Sequence, residues 1–180
     1  MTSIRRGTQG EIVAFKCRTC DQWHNGPIQS LGADTPDFVA HMSGEEREKY
    51  LTLTSDQCIL TREDRTDYLV RGCLEIPVID GPSPFTFGVW VSLSEENFNR
   101  TTELWEAPGR ESEPAYFGWL CTRLPGYADT MNLKTWVQTQ PVGQRPLVTV
   151  FEPTDHALFI EQRDGINVER LILIIEQAFH

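Results

Sequence analysis

Positive charge is scarce in this chain. Sixteen lysines and arginines stand against 26 aspartates and glutamates, a formal net charge of −10. Phosphate backbones are held by lysine and arginine, so this balance disfavours nucleic acid as a partner. It permits a basic protein partner met by electrostatic steering. No apolar run approaches the roughly 20 residues that span a bilayer, and Met1-Thr2-Ser3-Ile4-Arg5-Arg6-Gly7 has no apolar signal region behind it. The expected setting is therefore the cytoplasm, with reduced thiols, and an odd total of five cysteines agrees with that. A nucleophile elbow, a phosphate-cradling glycine loop, an HExxH pair and a dinucleotide fingerprint are all missing, which removes the enzyme classes that depend on them. No repeat, low-complexity segment or linker divides the 180 residues, so one domain over 1–180 is expected.

What the chain does have is Phe15-Lys16-Cys17-Arg18-Thr19-Cys20-Asp21-Gln22-Trp23-His24. Two residues between the thiols let one tight turn aim both sulfurs at a single tetrahedral ion, with an imidazole four residues further on. Glu11 to Phe15 reads as a short strand leading in. The residue after the second cysteine of such a turn commonly takes a left-handed backbone, which Asp21 tolerates better than most non-glycine residues. A zinc knuckle is expected over 11–27, with structural zinc as the cofactor. Free thiols and a redox dithiol are the alternatives. A redox pair would open a helix whose dipole lowers the first thiol's pKa, whereas Asp21 to Pro27 is turn chemistry.

The chain has no second CxxC, and the candidates for further ligands are His24, Cys58, Cys73, Cys121, His41 and His156. The expected set is Cys17, Cys20, His24 and Cys58, because Cys58 lies at a strand start from which its thiol could reach back. Cys73 and Cys121 read as packed core thiols.

The fold class expected is α+β, a mainly antiparallel sheet with the knuckle at one end and an amphipathic helix at the other. Ser43-Gly44-Glu45-Glu46 has the pattern of a capping box, with a helix over Glu45 to Leu53. Tyr68 to Ile79 and Phe85 to Leu93 alternate as strands, joined tightly through Asp80-Gly81-Pro82-Ser83-Pro84 and hence antiparallel neighbours. Ser94 caps a helix running to Leu104 and Trp105, and strands follow at Tyr116 to Thr122, Leu133 to Thr139 and Leu147 to Phe151. Asn167 caps the last helix, with Ile166 and Leu171 as a hydrophobic staple and Val168, Leu171, Ile172, Ile175, Ala178 and Phe179 as its apolar stripe.

Several longer words carry a resemblance: Arg71-Gly72-Cys73-Leu74-Glu75-Ile76-Pro77-Val78, Phe87-Gly88-Val89-Trp90-Val91-Ser92-Leu93-Ser94 and Tyr116-Phe117-Gly118-Trp119-Leu120. With Asn132-Leu133-Lys134-Thr135, Arg145-Pro146 and Asp155-His156, they are similar to the bacterial domain-of-unknown-function 2199 family, from about Phe15 onwards. That family's opening Cys-x-x-Cys followed by His matches Cys17, Cys20 and His24; Asp21 stands where glycine is usual, Phe87 where tryptophan is, and Ala128 and Ala157 where prolines are. The resemblance implies a bacterial, intracellular protein and supplies no activity.

On the sheet face, Arg71, Glu75 and Trp90 could join Arg145, Asp155 and His156 in a polar pocket for a small anionic ligand or for acid–base work. The bland readings are a cross-strand ion pair for Arg71 and Glu75, and helix-start chemistry for Asp155-His156. No residue is assigned a catalytic role. The preferred function is a non-enzymatic interaction protein with a structural zinc, of the immunity or antitoxin type, binding a basic protein partner. Its candidate contact segments are Glu95-Glu96-Asn97-Phe98 and Glu103-Leu104-Trp105-Glu106. The alternative is a metal-assisted hydrolase or a binder of small anions.

Overall fold

Caps and strand alternation set most of the elements. A computed structural model describes residues 3–26, 29–151 and 155–180; Pro27, the last residue of the expected knuckle, lies outside them. β1 (Ile4–Arg6), β2 (Ile12–Lys16) and β3 (Trp23–Asn25) form a small antiparallel sheet in that order. The larger sheet takes β4 (Ser30–Gly32), β5 (Leu51–Leu53), β6 (Gln57–Thr61), β7 (Thr66–Ile76), β8 (Phe85–Leu93), β9 (Tyr116–Leu120), β10 (Lys134–Gln138) and β11 (Leu147–Val150). The helices are α1 (Gly44–Tyr50), α2 (Glu95–Glu103), α3 (Ala157–Asp164) and α4 (Val168–Phe179). This is the expected α+β class.

The large sheet runs β4-β8-β9-β10-β11-β7-β6-β5, and β7 also pairs with β8, so strands β7 to β11 close into a ring. All pairings in the ring are antiparallel except β11 with β7, which meet in parallel at Leu147 and Cys73. Two glycines permit the tight approach. A Cβ on Gly72 would lie 2.6 Å from Val148 Cγ2, and one on Gly118 would lie 2.4 Å from Val91 Cγ1.

The inward face carries the expected alternation: Val70, Leu74 and Ile76 of β7 and Phe85, Phe87, Val89, Val91 and Leu93 of β8 are all buried. α4 packs Val168, Leu171, Ile172, Ile174 and Ile175 into this same core, at about 1.5–3 kcal/mol for each large side chain removed from water. The hydroxyl of Ser43 and the amide of Asn167 cap α1 and α4 as expected, the former in a complete capping box, and Ser94 caps α2.

The differences have local causes. α1 stops at Tyr50 because Leu51–Leu53 pairs with Leu60, Ile59 and Cys58 of β6. β7 stops at Ile76 because Pro77 has no N–H to give to a ladder; Val78 keeps only a bridge to Ile166. Ala178 and Phe179 leave the apolar stripe and lie at the exposed end of α4. Trp90 does not face a polar pocket. It is fully buried in a second, smaller core with Cys58 and Leu69, and its Nε1 donates to Ala33 O at 3.1 Å.

Candidate metal centre

β2 and β3 pair Lys16 with Trp23 and Phe15 with His24, which leaves Cys17 to Gln22 as the connecting turn. The turn closes through Cys17 N to Gln22 O at 2.9 Å and Asp21 N to Cys17 O at 3.1 Å. Asp21 takes the left-handed backbone expected of it, with φ 57°. Its carboxylate meets Lys16 Nζ at 2.6 Å, an exposed pair worth little to stability. The amide of Thr19 points at Cys17 Sγ, 3.3 Å away.

Four donors converge here: Cys17, Cys20, His24 and His180, with one ligand atom from each and all within 4.8 Å of one another. Cys17 Sγ lies 3.3 Å from His180 Nε2, and Cys20 Sγ lies 3.3 Å from His24 Nε2. A tetrahedron with bonds of about 2.0–2.3 Å places its corners roughly 3.3–3.8 Å apart, so the cluster needs only small adjustments to hold one ion. Two thiols and two imidazoles are the donor set of structural zinc.

The second half of the cluster comes from α4. His24 is stacked between Phe15 (centroids 5.2 Å apart) and Phe179 (5.4 Å), which fixes its ring plane. Glu176, one turn before His180, is buried and accepts hydrogen bonds from three donors of Arg18: its main-chain amide at 2.6 Å, Nε at 3.0 Å (and 3.4 Å to the second oxygen) and Nη2 at 2.8 Å. Helix α4 is thereby clamped to the middle of the thiol turn. Burial pushes Glu176 up, but the Arg18 bonds outweigh it and its net shift is downward. At Cys17, burial also pushes the thiol up; the Cys20 and Thr19 amides, the Cys20 side chain and His180 prevail and bring it down to about 6. A thiolate so favoured is the form a metal binds.

The fourth donor of the cluster is His180, where Cys58 was expected. Cys58 lies in β6, fully buried with Leu69 and Trp90, and burial pushes its thiol up to about 12. Strand pairing directs it into that core and leaves its place to His180. One signal for His180 was present in the sequence: Glu176 and His180 are four apart, on one face of the last helix, at the polar end of an apolar stripe.

The residues of the expected polar pocket divide: Arg71, Glu75 and Arg145 stay near one another around Cys73, whereas Trp90 is in the second core and His156 is at a helix start. Arg71 reaches Asp34 at 3.2 Å, and His156 caps α3, its Nδ1 accepting from Leu158 N. Asp155 is exposed before that helix. Only Glu75 and Arg145 line a common cavity, where Arg145 Nε meets Asp56 Oδ1 at 2.6 Å. Of the proposed contact aromatics, Phe98 is core, whereas Trp105 borders that cavity.

No described helix is long and apolar enough to cross a membrane. Residues 16–166 match the profile of a family described as an uncharacterized protein conserved in bacteria (DUF2199). That span includes Cys17, Cys20 and His24 and stops before Glu176 and His180. No curated protein and no solved structure matches the chain.

Proposed function

The chain belongs to the DUF2199 family of bacterial proteins, and from that premise we propose that it is a non-enzymatic interaction protein stapled by a structural zinc. The four-donor cluster carries this reading, because four protein ligands leave no position for a reacting water. The same point weighs against the metal-assisted hydrolase. The small-anion reading is weakened where Trp90 and His156 lie apart from Arg71, Glu75 and Arg145.

The interaction part rests on the outer face of β9 and β10. Phe117, Trp119 and Trp136, with Phe151 just beyond β11, make edge-on or tilted ring contacts at centroid distances of 5.1–6.1 Å. Trp119 and Trp136 remain 40% and 39% exposed. A contiguous exposed aromatic patch is the usual anchor of a protein interface. With a net charge of −10, the partner that fits is a basic protein, the anchors supplying affinity and the charge supplying fast encounter. The specific form of the proposal is a cytoplasmic immunity- or antitoxin-like binder.

The test is capture from the native bacterium with the wild-type chain and with a Trp119→Ala/Trp136→Ala variant. A basic protein should be retained by the former and lost by the latter, and its association should slow as salt rises. Equal capture by both chains would refute the patch, and a partner whose association ignores salt would refute the charge argument.

A further inference from the structure

The metal centre and the aromatic face leave unused a cavity of about 670 Å³ beside β7 and β11, and two arginines line it. Arg110 is buried, and a buried charge ordinarily has a counter-ion. This one has none among the described residues, where every arginine–carboxylate pair belongs to another arginine. Arg110 donates instead to four main-chain carbonyls, those of Gln140, Trp105, Pro141 and Gln144, and lies over the Trp105 ring at 5.3 Å. Those contacts fix the group but bring no opposite charge, and one of the five N–H groups of a guanidinium, on Nη1, stays unspent.

Arg145 meets Asp56 through Nε alone, at 2.6 Å, and neither of its Nη groups gives a hydrogen bond to a described residue. The Arg71 charge also bears on that same carboxylate. Glu75 and Glu106 border the cavity too, but both are exposed and water screens them. The remaining wall includes the Trp105 indole and the apolar side chains of Val142 and Leu147. This is not the polar pocket expected from the sequence: Trp90 and His156 have no part in it, and Arg110, which only its burial reveals, does.

We propose that this cavity binds a small organic oxyanion, a carboxylate or phosphate ester whose oxygens meet the unspent N–H groups of Arg145 and Arg110 and whose carbon body lies along Trp105, Val142 and Leu147. The guanidinium fork matches the geometry of both oxyanions. A cavity with an apolar, aromatic wall and a few convergent polar groups is the usual make-up of a small-molecule site. The site depends neither on the zinc nor on a protein partner.

Phenyl phosphate is the probe, followed by titration calorimetry and by the fluorescence of Trp105 against a Trp105→Phe control. Saturable binding is expected, weakened about tenfold or more in Arg145→Gln, partly restored in Arg145→Lys, which keeps the charge, and loosened as salt rises. Arg145 carries the test because Arg110 also ties down the loop from Gln140 to Gln144; a melt of each variant accompanies its titration. Glu75→Gln/Glu106→Gln should bind as tightly as wild type or more tightly. Phenylacetate is run in parallel, and the tighter binder of the two identifies the oxyanion as phosphate ester or carboxylate. The proposal is overturned by no saturation with either compound up to roughly 10 mM, by equal binding to wild type and Arg145→Gln, or by benzylamine, a cation of similar body, binding as tightly. Inorganic phosphate binding as tightly as phenyl phosphate would overturn the role given to the apolar wall.

Discussion

Glu176 is the residue whose removal most directly tests how α4 is fastened to the thiol turn. Its side chain is 6% exposed and that of its partner Arg18 is 48% exposed. Hydrogen bonds to a buried charged group are worth about 1.5–3 kcal/mol each, but the half-exposed guanidinium is screened, which trims its share to about 1 kcal/mol. Glutamine keeps an oxygen for the Arg18 amide and loses the charge, so Glu176→Gln should cost about 1 kcal/mol. Alanine also strands that amide, and Glu176→Ala should cost about 2–3 kcal/mol. For a chain of this size, that lowers Tm by roughly 5–10 °C. Metal affinity should fall about tenfold in both variants, as it does when an outer partner of a ligand shell is removed. The pH dependence follows from the direction of the shift. Folding lowers the pKa of Glu176 below its ordinary 4.5, so its stabilisation is full above that pH and is lost as pH falls through the lowered folded value. Thermal and urea melts from pH 7 to pH 3 measure this. An alanine variant melting within about 1 °C of wild type at pH 7 would refute the clamp, given the slope above.

Two further outcomes test the sheet. Arg71 is largely buried while its partner Asp34 is almost wholly exposed, and the Arg71 Nε is buried without a hydrogen bond among the described residues. Arg71→Ala should therefore cost about 2 kcal/mol through lost packing, Arg71→Met under about 1 kcal/mol, and Asp34→Ala under about 0.5 kcal/mol. Equal losses for Arg71→Ala and Asp34→Ala in urea melts would show that the ion pair and not the packing matters. Gly72→Ala drives a methyl to 2.6 Å from Val148 Cγ2 and 3.0 Å from Pro146 O, and should cost about 1–3 kcal/mol. Adding Val148→Ala should then cost less than the sum of the two single changes, and strict additivity would contradict the close approach of β7 and β11.

The legible parts of the chain were those governed by local rules. Ser43, Ser94 and Asn167 announce helix starts because a side-chain oxygen beside the first turn satisfies an orphan amide wherever the helix later packs. β7 and β8 are legible from alternation, and the thiol turn from its spacing. The rest depends on which distant segments meet. Closure of β11 onto β7 through Leu147 and Cys73 is a parallel contact between strands some seventy residues apart, set by the glycines that let backbones approach. Trp90 was misplaced because alternation assigns it to an outer face and cannot tell that the segment from Ala33 to Phe38 covers that face. His180 escaped for the same reason: a donor 156 residues from His24 is brought in by the packing of α4, which no local rule reveals, and the strand start that favoured Cys58 turns its thiol into the second core.

The central claim is that Cys17, Cys20, His24 and His180 hold one structural zinc, and its most direct test is the metal content of purified protein by elemental analysis, wild type beside variants. The expected result is about one zinc per chain in wild type and in Cys58→Ser, strong loss in Cys20→Ser and His180→Ala, and a lower Tm wherever zinc is lost. A chain that carries no zinc and melts identically after chelation, or one in which Cys58→Ser releases the metal while His180→Ala retains it, would contradict the account.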